Sequence, residues 1–123
     1  MNTDEHRLLT RQIIGCAMKV SSKLGIGFLE KVYENSLAIE LKEIGINVSQ
    51  QEKVRVRYQG IVVGDYTADL IVNGIVLLEL KACKSIESVH EAQLLNYLRA
   101  SHLRIGLILN FGTTRLGIKR FVL

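Results

Sequence analysis

Asp69-Leu-Ile-Val-Asn-Gly-Ile-Val-Leu-Leu-Glu79-Leu-Lys81 decides how this chain is read. At its centre, Asn73-Gly74 is a strong short-range hairpin signal, because both residues tolerate the positive φ of a tight turn. The apolar runs on either side are then two antiparallel strands. An acid sits on the first, and a Glu-x-Lys pair sits at the end of the second. Strand side chains alternate, so Glu79 and Lys81 project from one face, about 7 Å apart along the chain. Charges are costly in a sheet of Ile, Val and Leu unless they are paired or bind an ion. An isolated Glu-x-Lys is more often a weak surface salt bridge, so further features must decide.

The turn sets a geometric condition. A two-residue Asn73-Gly74 turn puts Val72 opposite Ile75 and Asp69 opposite Leu78, on the sheet face away from Glu79. A three-residue loop, Val72-Asn73-Gly74, pairs Ile71 with Ile75 and brings Asp69 onto the face of Leu77, Glu79 and Lys81. A site therefore requires that loop, or a bulge beside Asp69.

Working outward, Leu9, Ile13, Ala17, Val20 and Leu24 recur at helical steps and predict an amphipathic helix from about Asp4 to Leu24. Gly25-Ile26-Gly27 ends it. A second helix is expected from about Leu29 to Ile44, with Leu29, Val32, Tyr33, Leu37, Leu41 and Ile44 inward. Val54, Val56 and Tyr58 alternate with Lys53, Arg55 and Arg57, as in a half-buried strand. Gln59-Gly60 turns it into a second strand, Ile61 to Val72. The third, Ile75 to Ala82, is apolar on both faces at first and should be central. Ser88-Val-His-Glu91 has capping-box spacing and opens a third helix to about Ser101. Strands over Arg104 to Phe111 and Leu116 to Val122 complete the order α-α-β-β-β-α-β-β.

Composition agrees with one ordered domain over residues 1–123: hydrophobic residues make up 48%, with no Pro or Trp. Such a chain buries roughly 65% of its unfolded surface. A net charge of +4 is compatible with a polyanionic partner without requiring one. Cys16 and Cys83 are the only cysteines, too few for a four-cysteine metal site. The polar start reads as no signal peptide, and no apolar run is long enough to span a membrane. A cytoplasmic location is expected.

Two hard oxygen ligands and a nearby lysine suit magnesium- or manganese-dependent attack on a phosphodiester. Magnesium favours one or two carboxylates plus water and substrate oxygens. Lys81 would orient the nucleophile or neutralise charge on phosphate. Glu30, opening the second helix, is a candidate third carboxylate, although a first-turn acid also complements a helix dipole. Tyr33 reads as core. Gln93 and Tyr97 share a helix face; they read equally as groups that hold phosphate or the attacking water and as a polar cap on the helix–sheet packing. His90 reads more naturally as a capping residue than as part of the site.

Asp69, Glu79-x-Lys81 and a following helix with Gln93-x-x-x-Tyr97 resemble the PD-(D/E)xK nuclease superfamily, in its RecB-like branch. Gly27-x-x-Glu30-x-x-Tyr33 is similar to the motif of the small GxxExxY proteins grouped with it. The resemblance implies a restriction-endonuclease-like α/β fold, a mixed β-sheet flanked by helices. It also implies metal ligation by Glu30, Asp69 and Glu79, a catalytic Lys81, and auxiliary roles for Gln93 and Tyr97. The expected activity is metal-dependent hydrolysis of nucleic acid, with DNA as the substrate and Mg2+ or Mn2+ as cofactor. Two copies acting as a homodimer would enlarge the binding surface. Thr67-Ala68 stands where a proline often precedes the acid. The competing reading is a non-catalytic module that keeps the fold and binds nucleic acid or protein, since folds do not fix functions.

Overall fold

The computed structural model describes residues 3–123, with side chains described from His6 onward. Helices α1 (Thr3–Leu24) and α2 (Glu30–Glu43) precede strands β1 (Val48–Tyr58), β2 (Ile61–Val72) and β3 (Val76–Lys81). Helix α3 (Ser88–Ser101) then crosses to β4 (Ile105–Asn110), and β5 (Gly117–Val122) follows. The five strands lie in sequence order. Only β3 and β4 are parallel, as a helical crossover demands; the other neighbours are antiparallel.

Central strands are buried on both faces. All six residues of β4 and all of β3 except Lys81 are buried. One face carries Leu70, Val72, Val76, Leu78 and Leu80 against α1 and α2. The other carries Ile71, Leu77 and Ile108 against Leu94, Tyr97 and Leu98 of α3. The inward positions of α1 are Leu9, Ile13, Ala17 and Val20, following its apolar period.

Helix α2 departs from expectation. Leu29 is 81% exposed and Ile44 52%, while Tyr33, Glu34, Leu37, Ala38 and Leu41 are buried. Its inner face is turned toward Glu34, an acid that an apolar periodicity does not select. Tyr33 is core, as expected. Its ring stacks on Phe111 at 4.7 Å, and its hydroxyl donates to the Gly25 carbonyl at 2.7 Å, tying the α1–α2 turn to the sheet.

Three local details also differ. Strand β1 begins at Val48, before the alternating stretch that marks it in sequence. The capping box of α3 pairs Glu87 with His90, one residue earlier than Ser88 and Glu91. The β2–β3 loop takes neither register considered above. Asn73 and Gly74 have φ of 53° and 66°, and the Ile75 N–H donates to the Val72 carbonyl. The ladder nonetheless pairs Val72 with Val76, Ile71 with Leu77 and Leu70 with Leu78. Ile75 is the extra residue, and continuing that register sets Asp69 opposite Glu79.

Candidate active site

The face toward α3 gathers the candidate residues. Glu79 alternates with the inward Leu77 and lies under Tyr97. Only 7% of it is exposed, and among the described residues its Oε1 has no hydrogen-bond partner. Burial first, and the negative charge of Asp69 second, push its carboxyl up to about 9; Lys81 opposes the shift. A buried acid with an unfilled oxygen is poised either to keep a proton or to exchange it for a cation.

Asp69 is held by the strand it faces. Its Oδ2 accepts the Leu80 backbone N–H at 2.8 Å. Around it the β1–β2 ribbon departs from simple alternation. Ala68 and Ile71, three residues apart, both pack into the α3 cluster. Across the ladder Gln51 takes a φ of 53°. The β1–β2 register itself runs unbroken past Asp69, from Gln50–Leu70 to Glu52–Ala68, so neither the three-residue loop nor a bulge there is what brings Asp69 to Glu79.

The positive φ aims Gln51 at two acids. Its Nε2 donates to Glu34 Oε1 at 2.7 Å and makes a long contact to Asp69 Oδ1 at 3.5 Å. Glu34 is only 3% exposed and also accepts from Gln50 at 2.7 Å and Lys31 at 3.0 Å. Glu30 stands exposed at the start of α2, and among the described residues no hydrogen bond or ion pair joins it to Asp69 or Glu79. Glu34 and Gln51 are thus the residues that sequence reasoning missed. The tandem Gln50-Gln51 was their one visible signal.

Lys81 ends β3, partly exposed, and among the described residues it has no ion pair within 4.0 Å. Just beyond it the backbone is clamped. Buried Asn110 accepts the Cys83 and Gly112 N–H groups at 3.0 Å each and donates to the Cys83 carbonyl at 2.9 Å. A Cβ on Gly112 would overlap the Cys83 backbone, so only glycine allows this approach. Neither residue stood out in the sequence, although an Asn inside apolar β4 is an available signal.

Gln93 donates to Tyr97 Oη at 2.9 Å, as their spacing predicts. Burial, and then Glu79, raise the Tyr97 phenol above its ordinary value. Tyr66 of β2 packs its ring 4.9 Å from that of Tyr97. His90 is a cap: its Nδ1 accepts the Glu87 N–H at 3.0 Å.

A family model for the PD-(D/E)XK nuclease superfamily matches residues 7–121. The chain belongs to that superfamily. No curated protein and no solved structure matches it. The mixed sheet and the order of elements are those of a restriction-endonuclease-like fold. Where a proline often stands in this superfamily, Ala68 is fully buried against α3. Among the described residues no three His, Cys, Asp or Glu side chains converge as a metal cluster. The donor set on this face is therefore the carboxylate pair Asp69 and Glu79, which suffices for magnesium. Among the described residues no helix is long and apolar enough to cross a membrane.

Proposed function

We propose that this superfamily member is a magnesium- or manganese-dependent nuclease that hydrolyses phosphodiester bonds, with DNA as substrate. One observation carries the reading: continuing the β2–β3 register one residue past Leu70–Leu78 sets Asp69 opposite Glu79, whose buried Oε1 has no hydrogen-bond partner among the described residues. The donor chemistry fits a hard divalent cation held by Asp69 and Glu79. When bound, such an ion supplies Lewis acidity toward water and phosphate.

The chain's own groups do the remaining work. The Leu80 N–H fixes Asp69 Oδ2, leaving Oδ1 toward the site, and Gln51 steadies that oxygen from the Glu34 side. Lys81, without a carboxylate partner among the described residues, offsets negative charge on the phosphate or orients the attacking water. The Gln93 amide and Tyr97 phenol, already hydrogen-bonded to each other, hold a phosphate oxygen or that water. Packing of α3 over Glu79 excludes bulk solvent and strengthens each of these interactions.

We also assign the chain to the GxxExxY branch. Support comes from Gly27, whose φ is 113°, and from Tyr33, which locks the turn the motif spans. In that assignment Glu30 acts as a supporting carboxylate at the entrance. Hydrolysis of single- and double-stranded DNA with Mg2+ or Mn2+ tests the function, comparing wild type with Asp69→Ala and Lys81→Ala. Loss of cleavage in both variants is expected. Equal activity in all three proteins would remove the proposal.

A further inference from the structure

A cleft opens between the β1–β2 ribbon and the C-terminal half of α3. Its volume is about 580 Å3, and its lining includes Arg55, Arg57, Tyr66, Asn96, Arg99 and His102, with no acid among the lining residues. A cleft of that volume accommodates one or a few small groups. Tyr66 links this cleft to the acid face: it lines the cleft and packs its ring on that of Tyr97, which is near enough to Glu79 and Asp69 to feel their charge.

The guanidinium groups are largely free for a ligand. Among the described residues Arg55 has one loose partner, Asp65 at 3.8 Å, while Arg57 makes a 3.4 Å contact to the Gly60 carbonyl and Arg99 a 3.2 Å contact to Asn96. Tyr66 is 39% exposed, so part of its ring faces the opening. Basic groups along a groove, with an aromatic face between them and a hydrolytic site, are what a single nucleic-acid strand needs. Phosphates pair with the arginines, and an unpaired base stacks on the ring.

We propose that this cleft is a substrate subsite for single-stranded nucleic acid, next to the scissile phosphate. Arg57 and Arg99 hold backbone phosphates, and Tyr66 takes a base. The inference rests on the nuclease reading above, and it narrows the substrate from DNA in general to an unpaired strand or frayed end.

The test is binding of a fluorescent 20-nucleotide oligothymidylate to the full chain in EDTA, so that no strand is cut, across a salt series. The Arg57→Ala/Arg99→Ala double variant should weaken binding and flatten the slope of log Kd against log salt by about 1.4. Tyr66→Leu should weaken binding roughly ten-fold with the slope unchanged. The exposed pair Arg7→Ala/Arg11→Ala, on α1 across the sheet, should leave both quantities unaltered. Parent protein that fails to bind, an equal loss from the α1 pair, or tighter binding of a matched duplex would overturn the proposal. Failures remain separable: strand binding without metal-dependent cleavage removes the nuclease and leaves the cleft. Cleavage with binding unaffected in the cleft variants does the reverse.

Discussion

Glu79→Gln should make the protein more stable while abolishing its chemistry, and the gain should grow with pH. The folded state holds this carboxyl near 9, against about 4.5 when free, because burial and Asp69 both oppose ionisation. Between those values the folded chain keeps a proton that the unfolded chain has released. Stability attributable to Glu79 is therefore fully present below about 4.5 and falls as pH rises toward 9. Each pH unit in that window costs about 1.4 kcal/mol, so by pH 7 the side chain costs the fold about 3 kcal/mol. Glutamine keeps the shape and carries no charge, so it escapes the cost. For a chain of this size the variant should melt on the order of 10 °C higher at pH 7. Near pH 5 the two proteins should be almost equal. Urea denaturation of both at pH 5, 6, 7 and 8 measures the difference without disturbing the other titrating groups they share. A stability difference that does not change with pH would show that Glu79 ionises normally. The buried, unpartnered acid would then have no basis.

Removing Asp69 or Lys81 should have large kinetic effects, and Asp69→Ala should also cost stability because it strands the buried Leu80 N–H. Asp69→Ala and Lys81→Ala should each lower the single-turnover cleavage rate by roughly 10²- to 10³-fold. Glu34→Gln should reduce activity more than Glu30→Gln, because only Glu34 reaches Asp69 through Gln51; the opposite ranking would return the third acid to the helix start. Asn110→Ala should cost about 3 kcal/mol in chemical denaturation, since it strands the Cys83 and Gly112 N–H groups. The same variant should also lose activity through Lys81, two residues before the clamped Cys83. Unchanged cleavage would confine Asn110 to stability.

Elements whose apolar pattern matches their burial were legible from sequence. Helices α1 and α3 follow their periodicities, and the doubly buried β3 announces itself by Val and Leu on both faces. What escaped were the places where polar groups are buried for a reason that patterning does not encode. Helix α2 turns Glu34 inward because Lys31, Gln50 and Gln51 satisfy it, while Leu29 stays in solvent. Gln51 can reach two acids only through a positive φ that no glycine or asparagine signals. The hairpin shows a finer limit. Asn73-Gly74 marked the turn correctly, yet the register depended on Ile75 becoming the extra residue, which local sequence does not specify. Asp69 thereby gained Glu79 as its opposite neighbour, one pair along from the arrangement that would have joined it to Leu77.

A manganese-soaked crystal examined by anomalous scattering interrogates the centre of the account most directly. One strong peak should touch carboxylate oxygens of both Asp69 and Glu79, within coordinating reach of each. A peak on only one of them, or two acids turned away from each other with no ion between, would contradict it.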